Sequence, residues 1–197
     1  MASNTRNAIL KGAGQSFARL GYGATRVEDI IEDAGVSRAT FYKFFDGKEQ
    51  VFDAIEEAFN FSFTQAIEGA WDDELEAGPR ADALLEAYLR WLAGWRDLGK
   101  IMWMDPTRPR AHEVLESRNN TFLSFIKITI AIGSEEGLPE ADDMLYRGVL
   151  GAIAEIGATM SSKSRVREAD IQRAKRCINH IIGSVLGDVP DELRKKK

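Results

Sequence analysis

The 197-residue chain contains one cysteine, Cys177, and two histidines, His112 and His180. A single cysteine excludes an intramolecular disulfide and fits a reducing compartment. Cys177 lies in a helical pattern, where a buried structural thiol is the default expectation. The histidines have no metal-ligand spacing to each other or to Cys177, so no metal is expected. No glycine-rich phosphate loop and no nucleophile elbow occurs. The sequence therefore offers no catalytic constellation and names no cofactor, and an enzyme is not expected. Long apolar runs are also missing. The stretch 126–132 is broken by Lys127 and Thr129 and is too short to span a bilayer. Lys11, Gln15 and Arg19 interrupt the N-terminal segment, which is unlike a secretory signal. A positive excess is lacking as well: the net charge of −5 argues against a uniformly basic, nonspecific nucleic-acid binder. These absences leave a cytoplasmic globular protein without a membrane partner. Its 44% hydrophobic and 29% charged content excludes a disordered chain.

The informative stretch is Ala34-Gly35-Val36-Ser37-Arg38-Ala39-Thr40-Phe41-Tyr42-Lys43-Phe44-Phe45. Gly35 takes a positive φ at no steric cost and stops a helix at its C′ position. Val36 is apolar and would fill the gap between two helices. Ser37 is a strong N-cap. Two short helices joined by such a turn make a helix-turn-helix, whose second helix, predicted over 38–45, enters a DNA major groove. Phe41 and Phe45 are i, i+4 and face inward. Arg38 and Thr40 are suited to bases, Tyr42 and Lys43 to phosphates. The alternative, a solvated helix in an ordinary bundle, does not account for the agreement of turn, cap and polar face.

The flanks extend the pattern. Thr25-Arg26-Val27-Glu28 reads as a capping box that opens a helix with Val27, Ile30, Ile31 and Ala34 on one stripe. Asp46-Gly47-Lys48-Glu49 reads as a second box. Upstream, Ile9, Ala13, Phe17 and Leu20 recur at helical spacing until Gly21 and Gly23. Residues 1–48 hold seven Lys or Arg against five acids, a net +2, which leaves −7 for the rest. A mildly basic head on an acidic body fits a specific DNA regulator.

Beyond Lys48 the body reads as helices over 48–71, 81–98, 110–132, 141–162 and 168–186, with an acidic loop at 72–79. The segment 126–130 alternates like a strand, but its length favours helix. The last two helices carry Gly148, Gly151, Gly157 and Gly183. Each interior Gly costs about 1 kcal/mol relative to Ala, so close helix–helix approach is the expected compensation. Three of the four tryptophans, Trp91, Trp95 and Trp103, cluster with Tyr88, Met102 and Met104, and Phe122 and Phe125 could join them in space.

This order of elements closely resembles the tetracycline-repressor (TetR) family of transcription regulators. The resemblance covers roughly residues 5–55. It is carried by Ile9, Leu10, Ala13, Phe17, Gly21, Tyr22, Thr25, Val27, Ile30, Ala34-Gly35-Val36-Ser37, Thr40-Phe41-Tyr42, Phe45, Lys48 and Glu49. Departures are Ile31 for a frequent Ala, Ala39 for Gly, Lys43-Phe44 for His or an aromatic pair, and Gly47 for Ser. Ala39 and Lys43 lie at or near the groove and bear on sequence preference.

The resemblance implies an all-α chain. Residues 1–48 would be a three-helix helix-turn-helix DNA-binding domain, and 49–197 a helical ligand-binding and dimerisation domain. The DNA-facing residues would be Thr25, Arg26, Ser37, Arg38, Ala39, Thr40, Tyr42, Lys43 and Lys48. The partners would be a double-stranded operator, a second copy of the chain docked through the last two helices, and a small apolar or aromatic effector. The effector would meet Tyr88, Trp91, Trp95, Trp103, Phe122, Phe125 and Glu155. Three alternatives stand beside this reading: the glycines pack within one chain, the aromatic stripe is solid core, and the regulator acts without a ligand.

Overall fold

The computed structural model describes residues 2–95, 142–163 and 165–186, and between them 98, 107, 109, 124, 127–129 and 131. Seven helices are described over their full extent: α1 (Ala2–Leu20), α2 (Val27–Ala34), α3 (Arg38–Phe41), α4 (Lys48–Ala70), α5 (Ala77–Gly94), α6 (Asp143–Ser161) and α7 (Glu168–Leu186). No strand occurs among the described residues, and the described positions within 110–132 are helical. The chain divides into two compact units, residues 1–62 with 95–115 and residues 63–94 with 116–197.

In the first unit, α1 buries Ile9, Ala13 and Phe17, and α2 buries Ile30. The two helices cross in backbone contact. A Cβ at Gly12 would lie 2.5 Å from the backbone nitrogen of Ala34, so only glycine fits. Asp33 of α2 accepts hydrogen bonds from Ser16 and Arg19 of α1, which hold its carboxyl below the usual range. Gly21 ends α1 at φ 77°, its N–H donating to Phe17 O at 2.9 Å. Phe17, Tyr22 and Phe52 then meet with ring centroids 5.0–5.7 Å apart. That spacing suits edge and tilted aromatic packing.

The predicted box at Thr25 is corrected. The N-cap of α2 is Arg26, whose N–H donates to the N3 carboxylate, Asp29 Oδ2, at 2.8 Å. Thr25 is turned inward because its hydroxyl caps α1 instead, donating to Gly21 O at 2.6 Å. The second box also shifts by one residue: Asp46 N–H donates to Gln50 Oε1, not to Glu49.

In the second unit, α5 begins at Ala77, earlier than the predicted start at 81. Pro79 therefore sits in the first turn, where its missing N–H has no intrahelical partner to lose. Arg80 ties down the preceding loop. Its guanidinium donates to Asp72 O, Asp73 O and Leu75 O and lies over the Trp71 ring. The inward stripe of α6 is Tyr146, Val149, Ile153 and Met160, and that of α7 is Ile171, Ala174 and Ile178.

Gly157 belongs to the inward stripe, since its Cβ would meet Leu92 Cδ2 at 2.5 Å. Its close approach is to α5 of the same chain. Gly148, Gly151 and Gly183 face open space. Cys177 is exposed, not buried, because the inward positions of α7 on either side of it are Ala174 and Ile178.

Charges fasten α7 to α5. Glu86 of α5 accepts from Arg90 and from Lys175 of α7, and Arg90 also reaches Glu168 at 2.8 Å. The Arg90 guanidinium first, then Lys175 and Gln172, hold the Glu86 carboxyl down at about 2. Burial pulls against the Lys175 ammonium, but Glu86 and Asp82 outweigh it and leave it above the usual lysine range.

A carboxyl depressed on folding contributes stability above its unfolded value of about 4.3 and loses it as pH falls toward the folded one. Unfolding free energy should therefore drop between about pH 5 and pH 2. In Glu86→Gln that slope should be shallower, with lower stability at pH 7. Denaturant titrations at pH 3, 5 and 7 measure both. An unchanged slope would mean that Glu86 is not the group titrating on unfolding.

Candidate DNA-reading surface

The turn between α2 and α3 is built as the sequence requires. Gly35 adopts φ 63°, and its N–H donates to Glu32 O while Val36 N–H donates to Ile31 O. This pair of bonds is a Schellman closure. Ser37 then caps α3, its Oγ accepting from Thr40 N–H at 3.1 Å. Regular helix covers only Arg38–Phe41. The chain then tightens, with Lys43 N–H on Thr40 O and Phe44 N–H on Phe41 O. The predicted helix over 38–45 is thus one α-turn followed by a 3₁₀-like turn, a common ending.

Such a short helix is held from below. Phe41 and Phe45 are 0% and 4% exposed, and their rings lie 6.1 Å apart. Arg6 of α1 covers the Phe45 ring. Above this base, Ser37, Arg38, Ala39, Tyr42 and Lys43 are exposed and Thr40 is half-buried. Arg26, at the start of α2, is exposed as well. The Ser37 and Thr40 hydroxyls meet at 2.8 Å. Arg38 Nη1 donates to Glu28 Oε1 at 2.8 Å, and its guanidinium lies over the Tyr42 ring.

Two residues expected at the DNA make bonds within the fold. Thr25 is 1% exposed, and its hydroxyl is spent on Gly21 O and Ser16 O. Lys48, the first residue of α4, donates Nζ to Tyr22 O at 2.8 Å, Gly23 O at 3.3 Å and Thr25 O at 2.8 Å. It also lies 4.5 Å over the Tyr22 ring. An ammonium has three donors, and all three are used here. Burial first, then Glu49 and Asp53, push the Tyr22 phenol up to about 12, so the ring stays neutral beneath the cation. Sequence reasoning missed this clamp, because carbonyl acceptors leave no mark in side-chain patterns. It also missed the partnership of Glu28 with Arg38, which bridges a turn and follows no helical period.

Of the expected effector residues, Tyr88, Trp91 and Trp95 make described aromatic contacts. Tyr88 and Trp91 are buried in the second unit with ring centroids 6.1 Å apart, and Phe63 packs on Trp91 at 4.9 Å. Trp95 belongs to the first unit, edge-on to Phe59 at 5.1 Å. Trp103, Phe122 and Phe125 lie outside the described residues.

Glu155 does not join Tyr88 and Trp91. It is exposed and lines a groove of about 300 Å³ between α6 and α7, with Thr159, Met160, Arg173 and Cys177. The reason is helical phase. Two residues along a helix is roughly a half-turn, and Gly157 occupies the position facing Tyr88 and Leu92.

Comparison with known proteins falls on the same ground. The model of the bacterial regulatory proteins of the tetR family matches residues 9–55. An uncharacterized HTH-type transcriptional regulator, YhgD of Bacillus subtilis (strain 168), is 27% identical over 139 residues, 70% of this chain and 73% of that one. A TetR-like transcriptional regulator from Rhodococcus sp. RHA1 shares the fold at a TM-score of 0.73 and 15% identity, covering 93% of this chain and 97% of that one. FadR of Bacillus subtilis, in complex with stearoyl-CoA, shares it at 0.63 and 18%, covering 93% and 99%. The family match spans α1, α2 and α3 and runs into α4, the helices that build and support the Arg38–Lys43 surface, and residues 9–55 are a helix-turn-helix DNA-binding domain of the tetR family of bacterial regulatory proteins.

Proposed function

We propose that the protein is a repressor that binds a two-fold-related operator as a homodimer and leaves it when a small apolar or aromatic molecule enters the body. The observation that carries the DNA half is the surface over Phe41 and Phe45. There Ser37, Arg38, Ala39, Tyr42 and Lys43 are exposed and Thr40 is half-buried on a capped turn, and Arg26 is exposed at the start of α2. Arg38 and Thr40 read bases, while Arg26, Tyr42 and Lys43 set register on phosphates.

Regulators of this family act as dimers. A dimer through α6 and α7 is supported by an outward stripe of Met144, Gly148, Gly151, Glu155 and Thr159. Met144 is 80% exposed, and Gly148 and Gly151 leave room for a neighbouring backbone.

The effector half draws on Tyr88 and Trp91 and on the likeness to a regulator bound to stearoyl-CoA. An acyl chain has the apolar character that such rings favour. A ligand-independent regulator is the second reading. It is favoured by the closed contacts among Phe63, Tyr88 and Trp91.

Arg38→Ala should reduce discrimination at one base pair of each half-site by about 1–3 kcal/mol. Selection of bound duplexes from a random pool measures it, and an unchanged consensus would remove Arg38 from the reader. Gly151→Arg should give a folded monomer by sedimentation, since the position is open in the single chain but an unpaired charge is costly inside an interface. A folded dimer would refute this face. Ile178→Arg makes a poor test, because Ile178 is 0% exposed within its own chain.

The switch requires differential affinity of the ligand for the two DNA-binding states. A long-chain acyl thioester or aromatic ligand that quenches tryptophan fluorescence should weaken operator binding at least tenfold, which needs about 1.4 kcal/mol of coupling. Quenching without any loss of operator affinity would favour the ligand-independent reading.

A further inference from the structure

Arg38 is gripped at the reading surface. Nη1 donates to Glu28 Oε1 at 2.8 Å, and the guanidinium carbon lies 5.6 Å from the Tyr42 ring centroid. Glu28 stands in the first turn of α2, and Arg38 is the first residue of α3. The two side chains are 59% and 66% exposed, so the pair lies in solvent on the face proposed to meet DNA.

Stability does not explain the pair. An exposed ion pair contributes about 0–1 kcal/mol and is screened by salt. Long-range attraction does not explain it either, since a carboxylate beside the recognition helix opposes the approach of phosphates.

Geometry does explain it. A free arginine side chain carries about 2 kcal/mol of rotamer entropy, and its planar fork must be aligned before it bonds guanine O6 and N7 together. Glu28 takes Nη1 and Tyr42 supports the plane. The Nε–Nη2 edge is left for a base, and it is an edge that makes a parallel two-bond contact. The carboxylate also opposes capture of Arg38 by a neighbouring phosphate, which would carry no sequence information.

We propose that Glu28 is a specificity-determining positioning residue, which orients the Arg38 fork toward guanine and disfavours its diversion to the backbone. The proposal rests on the reading of Arg38 as a base contact.

The test is duplex selection from a random pool by the full-length chain, its Arg38→Ala, Glu28→Gln and Glu28→Ala variants, and the double variant. Affinity for a single non-cognate duplex is measured alongside. At the base pair where Arg38→Ala abolishes guanine preference, Glu28→Ala should lower it about 5–10-fold, within the span of one bidentate contact. Binding to the non-cognate duplex should tighten. Glu28→Gln, which keeps the acceptor but loses the charge, should fall between. Adding Glu28→Ala to Arg38→Ala should change the consensus no further.

If Arg38→Ala leaves the consensus intact, the reading of Arg38 fails and this proposal falls with it. If Arg38→Ala erases guanine preference while Glu28→Ala preserves or sharpens it, only the positioning role is overturned. Glu28 would then be holding Arg38 away from DNA. If Glu28→Ala alters the consensus equally in the Arg38→Ala background, Glu28 contacts a base itself and positioning is likewise overturned.

Discussion

Burial of Phe41 and Phe45 beneath a four-residue helix is the constraint on which the reading surface depends. A single helical turn has no stability of its own, because nucleation fixes several residues for one hydrogen bond. Something outside α3 must hold it. Two aromatic side chains, almost wholly out of water, supply the anchor. Fully burying one large apolar side chain is worth about 1.5–3 kcal/mol, more than a cap or an exposed ion pair contributes. Capping by Ser37 and closure by Gly35 then decide where the turn begins, not whether it forms. The α1–α2 crossing at Gly12 and Ala34 serves the same end from behind, bringing α1 close enough for Arg6 to cover Phe45.

Much of this was legible in the sequence because the signals are local. The left-handed position at Gly35, the cap at Ser37 and the i, i+4 aromatics each lie within a few residues of what they control. The helices over 48–71, 141–162 and 168–186 were legible for the same reason, their periodicity being long and regular. Errors arose where a nearby group overrode a local signal. Thr25 is the better capping side chain, yet Arg26 takes the N-cap position of α2 with no side-chain bond. The outcome turned on the carbonyl of Gly21, which took the Thr25 hydroxyl. The acidic loop expected over 72–79 gives way to α5 at Ala77, because the first turn of a helix tolerates Pro79.

The candidate site was less legible, for a physical reason. A pattern gives the face of a helix, not the partner that comes to it. Lys48 looked like a cation awaiting a phosphate, because its acceptors are backbone oxygens supplied by another loop. Glu155 looked like a polar group in an apolar pocket, because its neighbours in sequence are small and apolar. Helical phase turns it to the outside. The glycines of α6 divide in the same way: Gly157 answers to Leu92 of its own chain, and Gly148 and Gly151 do not.

The grip of Lys48 on Tyr22, Gly23 and Thr25 has a mechanical consequence. The first residue of α4 is fastened at three points to the loop that joins α1 to α2. The start of α4 does not swivel against the loop without breaking several charge-assisted bonds at once. A tilt of α4 would carry the reading surface with it as one solid piece, as a handle carries a stamp. The distance between two such surfaces in an assembly then becomes a question of where the handles point, with no repacking of the faces themselves.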